Sequence, residues 1–126
     1  GGGGFEKDKW RKDDTQNFTS LLRELRSALD AQGKADSKQY LLTIVAPAGE
    51  NHYSKIELAK IYSLLDAINL MTYDFAGFWS ERTNFNAPLF AAANDPAGEK
   101  NNADAAVRGY LAAGVPAEKI VLGVPF

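Results

Sequence analysis

The sequence predicts an α/β fold built on a parallel sheet. Three observations predict it. There are three short, unbroken apolar runs that end at turn residues. Three stretches carry helical periodicity. The two kinds alternate along the chain. Continuous apolar strands, unlike alternating ones, belong to sheets covered on both faces.

The elements follow in order. Residues 1–14, "GGGGFEKDKWRKDD", are glycine and charge and read as an exposed loop. Helical patterning begins near Thr15, so 15–126 is read as one series of helix–strand units. Phe18, Leu21, Leu22, Leu25, Ala28 and Leu29 share one face; Arg23, Glu24 and Arg26 fall on the other, and Gly33 is the expected C-terminal cap. "YLLTIVAPAG" (Tyr40 to Gly49) reads as a strand buried on both faces. Ser54 and Glu57 have capping-box spacing and predict a helix start, with Ile56, Ala59, Leu64 and Leu65 as its apolar side. Ala67 to Tyr73 is the second strand. Asp74 to Asn101 has turn residues and no period, a length that inside a domain usually carries function. Ala103, Ala106, Val107, Tyr110 and Leu111 form a third helical face closed by Gly114, and "KIVLGVPF" (Lys119 to Phe126) is the third strand.

This α-β-α-β-loop-α-β order fits a doubly wound open sheet or part of a (β/α)8 barrel. No Gly-x-Gly-x-x-Gly follows a strand and no phosphate loop is present, which weakens the nucleotide-binding version. Three strands cannot close a barrel, which needs about 250 residues, so a barrel would be represented by roughly half.

Composition narrows the class further. At 126 residues, 45% hydrophobic and 24% charged, the chain is long enough for a globular core. Fourteen basic against sixteen acidic residues leave a net charge of −2, which attracts neither nucleic acid nor an anionic membrane. The absence of cysteine excludes disulfides and thiolate metal sites, and no apolar run approaches the ~18 residues of a membrane span. His52 is the only histidine and lies in a polar loop, so neither metal nor cofactor is expected. Trp10 reads as surface packing and "EKDKWRKDD" as a solvated face.

The stretch "INLMTYDFAGFW" (Ile68 to Trp79) holds the candidate chemistry. In parallel α/β folds sites lie at the carboxyl ends of strands. Tyr73 and Asp74 occupy such an end, where a carboxylate can orient or accept a proton and a phenol can stabilise developing charge. Phe78 and Trp79 add aromatic faces suited to sugar rings. The bland alternative is an aspartate that merely ends a strand.

Several segments together resemble glycoside hydrolase family 18, the chitinases and their relatives. "INLMTYDFAGFW" resembles the family's sixth strand. "DTQNFTSLLRELRSALDAQGKADSKQYLLTIVAPAG" is similar to the preceding helix and fifth strand. "NFNAPLF" is similar to a loop where His-Asn-Ala-Pro-Leu is common, with Phe85 in place of the histidine. "AAVRGYLAAGVPAEKIVLGVPF" is similar to the helix and seventh strand. The resemblance implies a partial (β/α)8 TIM barrel covering about strands five to seven. It implies hydrolysis of β-1,4 bonds between N-acetylglucosamine units by a substrate-assisted, retaining route. It implies that Tyr73 hydrogen-bonds the attacking N-acetyl group. Asp74 would hold the distorted sugar, Met71 would pack beneath it, and Trp79 would stack on sugars beyond the cleaved bond. Chitin or a chitooligosaccharide is the implied partner, and the implied location is extracellular.

The family's general acid stands in Asp-x-x-Asp-x-Asp-x-Glu, and no such spacing occurs in this sequence. The resemblance places that motif just before a glycine-rich loop like "GGGGFEKDKW". The chain is therefore expected to be an internal segment of a catalytic domain, inactive alone and prone to self-association through uncovered sheet edges. A non-catalytic chitin-binding lectin of the same fold is the alternative. Retention of Tyr73 and Asp74 favours the enzyme, since a lectin has less need to position an attacking amide.

Overall fold

A computed structural model describes residues 9–95 and 98–126. Three parallel strands, β1 (Thr43–Pro47), β2 (Ala67–Met71) and β3 (Ile120–Leu122), lie in the order β1-β2-β3. The helices are α1 (Asp14–Asp36), α2 (Glu50–Tyr53), α3 (Leu58–Ile61) and α4 (Ala103–Ala112). Ile44 pairs with Ile68 and Ile68 with Ile120. Ala46 pairs with Leu70 and Leu70 with Leu122. Because side chains alternate along a strand, these rows share one face of the sheet. Ala46, Ile68 and Leu70 are buried there with Leu22, Leu58, Ile61, Leu65, Tyr110 and Val115. Among the described residues, no helix is long and apolar enough to cross a membrane.

The opposite face differs from the expectation of burial on both sides. Its row is Val45, Asn69 and Val121, and Val45 is 65% exposed and Val121 46%. No second layer covers it among the described residues, so continuous apolar strands here signal an open apolar face.

α1 corrects three expectations. It begins at Asp14 and runs through Gly33 to Asp36, ending where Ser37 turns left-handed at φ 53. Gly33 serves close packing instead, since a Cβ there would stand 2.5 Å from the Lys38 carbonyl oxygen. The buried stripe runs through Thr19, Leu22 and Gly33, while Leu21 and Leu25 are exposed. Arg26 is on the packed side, where its guanidinium bonds Asp66 at 3.2 Å and the Tyr40 carbonyl at 3.0 Å. Asp66 also accepts the Leu42 N–H at 2.7 Å, so this pair ties α1 to the entries of β1 and β2.

The predicted capping box does not form. Ser54 ends the four-residue α2, and Glu57 precedes the equally short α3. The Glu57 carboxylate instead accepts from the buried Thr19 hydroxyl at 2.7 Å and from Lys60 at 2.5 Å, which fastens α3 to α1. Leu58, Ile61 and Leu65 are buried, whereas Ala59 is exposed. α4 buries Ala103, Ala106 and Tyr110 as read, whereas Leu111, one residue past Tyr110, turns to solvent at 41% exposed. Asn102 caps it by accepting the Ala105 N–H at 2.8 Å, and Gly114 follows its end at φ 88. Residues 9–13 of the expected N-terminal loop are exposed, with Lys55 set 5.1 Å from the centre of the Trp10 ring; residues 1–8 lie outside the described residues.

Candidate active site

The site residues gather at the carboxyl end of β2. Met71 closes the strand opposite Pro47, half-buried on the open face. Thr72 turns to the covered side, 2% exposed, and donates its hydroxyl to the Gly123 carbonyl at 2.6 Å. Tyr73 follows on the open side, and a Cβ on Gly123 would lie 3.0 Å from its ring. β3 therefore forms a wall for Tyr73 only because position 123 lacks a side chain.

Asp74 breaks the alternation. Its φ is 57, the left-handed region that L-residues other than asparagine and aspartate seldom enter. Left-handed backbone costs roughly 1–2 kcal/mol per ordinary residue. The kink keeps Asp74 from continuing into the helix-side layer, and its side chain is exposed. Residues held in such conformations cluster at functional sites.

The turn is held by a residue to which the sequence reading gave no role. Asn86 donates its side-chain amide to Asp74 Oδ1 at 3.0 Å and to the Ala76 carbonyl at 3.1 Å, and its own carbonyl accepts the Phe75 N–H at 2.9 Å. Its presence within "NFNAPLF" was the one available signal. The neighbouring carbonyls of Pro88 and Leu89 accept the first N–H groups of α4, from Ala103 at 2.9 Å and Asp104 at 3.0 Å. The irregular stretch is thereby anchored at both ends.

Trp79 lies on its own loop, 55% exposed. Its indole folds over Gly77, where a Cβ would come within 2.5 Å of the ring, and meets Phe78 edge-on at 5.0 Å. Phe78, Phe85, Leu89 and Phe90 are exposed on the same stretch. Met71, Tyr73 and Asp74 thus all lie at the carboxyl end of β2, while Trp79 stands on the loop that leads away from it. His52 is exposed on α2. Among the described residues, no group of three or more histidine, aspartate and glutamate side chains is arranged to hold a metal.

Residues 4–126 match the model of glycosyl hydrolases family 18. Chitinase A1 of Niallia circulans is 46% identical over 98% of the chain, and Chitinase 1 of Aphanocladium album 45% over 87%. The chain spans only 18% and 26% of those relatives' lengths. Among solved structures, chitinase ChiA74 from Bacillus thuringiensis superposes with a TM-score of 0.90 at 48% identity, covering 94% of this chain and 19% of that one. A family 18 N-acetylglucosaminidase from Paenibacillus barengoltzii superposes at 0.82 with 41% identity, covering 87% of this chain and 32% of that one. The sequential strand order with helices on one face fits either a barrel or half of a doubly wound sheet. The chitinase neighbours decide for consecutive units of the (β/α)8 barrel. The chain belongs to the glycosyl hydrolases of family 18.

Proposed function

We propose that this chain supplies about strands five to seven of a secreted chitinase catalytic domain acting on β-1,4-linked N-acetylglucosamine. The observation that carries the reading is Asp74, held left-handed at a strand's carboxyl end directly after Tyr73. In the proposed reaction the substrate's own N-acetyl oxygen attacks the anomeric carbon, and a glutamic acid protonates the departing oxygen. Tyr73 orients the attacking amide and Asp74 holds the distorted sugar, with Met71 beneath it. Trp79 stacks on the chain beyond the cleaved bond. The proton donor comes from the fourth strand, outside these 126 residues, so the isolated chain does not turn over chitin. General acid catalysis is worth about 10²–10⁴-fold. The isolated chain also associates with itself through the open face carrying Val45 and Val121.

A chimera tests the reading. Residues 4–126 replace the matched segment of Niallia circulans Chitinase A1, and hydrolysis of a fluorogenic chitooligosaccharide is followed. The expected result is an active chimera that loses about 10²-fold or more in kcat on Tyr73→Phe or Asp74→Asn, beside an inactive isolated chain. An inactive but folded chimera, or one indifferent to both substitutions, overturns the proposal. A folded chimera that binds chitooligosaccharide without cutting it supports the lectin.

A further inference from the structure

We infer that Asn86 is a positioning residue for Asp74, an inference that rests on the reading above and gives Asn86 a part in the reaction. Asp74 occupies a backbone region that few residues other than glycine enter, at an exposed position. Packing alone does not hold an exposed side chain. What holds it is Asn86, twelve residues on, which contacts three successive residues of the turn.

The chemistry of the contact selects asparagine. Its amide has two N–H donors. One goes to Asp74 Oδ1 and the other to the Ala76 carbonyl, so the fork is fully used. Its backbone carbonyl takes the Phe75 N–H. The first bond fixes the rotation of the carboxylate, leaving Oδ2 without a hydrogen bond among the described residues. The other two bonds fix the backbone on the C-terminal side of the kink. Aspartate at 86 would have the same size but would place an anion against a carboxylate and a carbonyl. Serine would keep one donor.

Asn86 is itself firmly mounted. Two and three residues later, the Pro88 and Leu89 carbonyls bond the first turn of α4, and Asn102 caps that turn. The path from α4 to the Asp74 carboxylate therefore runs through backbone at every step but the last. A misplacement near 1 Å at a positioned group can lower a rate about 10²-fold while binding is kept. Asn86 therefore governs kcat more than KM.

The test uses the active chimera and its variants. Asn86→Asp is expected to lower kcat at least thirtyfold with KM within threefold, while Asn84→Ala, which severs the bonds of Asn84 with Asp95 and the Phe85 N–H but touches neither Asp74 nor Ala76, stays within threefold on both. Asn86→Ser falls between and serves where Asn86→Asp does not fold. The decisive readout is a cycle with Asp74→Asn. If Asn86 acts through Asp74, adding the Asn86 substitution to Asp74→Asn lowers kcat by less than threefold further. Full multiplication of the two effects, or an Asn86→Asp variant as active as the parent while Asp74→Asn is impaired, overturns the inference and leaves the chitinase reading standing. A chimera indifferent to Asp74→Asn sinks both.

Discussion

Replacing Gly123 with alanine should damage the fold and the site together. The Gly123 N–H donates to the Leu70 carbonyl at 2.9 Å, and its carbonyl accepts the Thr72 hydroxyl at 2.6 Å. A Cβ here would stand inside 3.0 Å of the Leu70 oxygen, where ordinary contact begins at 3.4 Å, and 3.0 Å from the Tyr73 ring. Leu70 cannot yield, because it is paired on both sides in β2, the central strand of the sheet. β3 must therefore retreat by about half an ångström or more, which stretches both bonds toward the limit of useful geometry. Two hydrogen bonds at about 1 kcal/mol each, with an overpacking penalty of about 1 kcal/mol, give a loss near 3 kcal/mol. In the chimera, of which the exchanged segment is only about a fifth, this is a fall in Tm of about 2 °C. Gly114→Ala is the control. At φ 88 with nothing within 4 Å, it carries backbone strain of about 1 kcal/mol and no clash. Circular dichroism melts and initial rates are measured on both variants. Gly123→Ala should lower Tm and kcat, since the added Cβ presses on the Tyr73 ring and the retreat of β3 withdraws the wall beside it. Gly114→Ala should lower Tm slightly and leave kcat unchanged. Equal behaviour of the two would refute the idea that β3 is held close to seat Tyr73.

Two further outcomes are expected. Trp79→Ala in the chimera should raise KM for long oligosaccharides about tenfold, a change near 1.4 kcal/mol, and leave short reporters nearly unaffected. Bonds from Lys60 and then Thr19 hold the Glu57 carboxyl below its ordinary 4.5. Its contribution is present above that value and is lost as pH falls through the lowered one. The gap in Tm between the chimera and its Glu57→Gln variant should therefore be open at pH 7 and narrow toward pH 3; a constant gap would contradict this.

Existence and order of the strands were legible because each apolar run is bounded by turn residues. Their lengths were not. β3 was read as eight residues and pairs over three, because pairing depends on what neighbours the strand, which a single run of Val and Leu does not encode. The same limit explains Val45 and Val121. Apolar character marks a face as fit for burial, and only the surrounding layers decide whether it is buried. Helix α1 shows the converse. Leu21 and Leu25 suit a core but point to solvent, while the charged Arg26 is drawn inward by Asp66. Ser54 and Glu57 had the spacing of a capping box, yet Glu57 found stronger partners in Thr19 and Lys60. Local patterns propose partners, and tertiary contacts choose among them.

At the site a motif names the residues, and only the geometry shows which way each one faces. Tyr73 and Asp74 are adjacent, and a regular strand would send them to opposite faces. Thr72 takes the covered side and Tyr73 the open one, so a continued strand would direct Asp74 toward the helices. The positive φ at Asp74 cancels that step. Two adjacent polar residues are thereby kept out of the core, at the cost of a strained residue. Strain of this kind persists only where surrounding contacts over-determine it. Asn86 supplies them from twelve residues away, and α4 in turn steadies Asn86 through the Pro88 and Leu89 carbonyls. The long irregular stretch after β2 is thus part of the support of the site, and its length follows from the need to leave the strand, return to brace the kink and dock on the next helix.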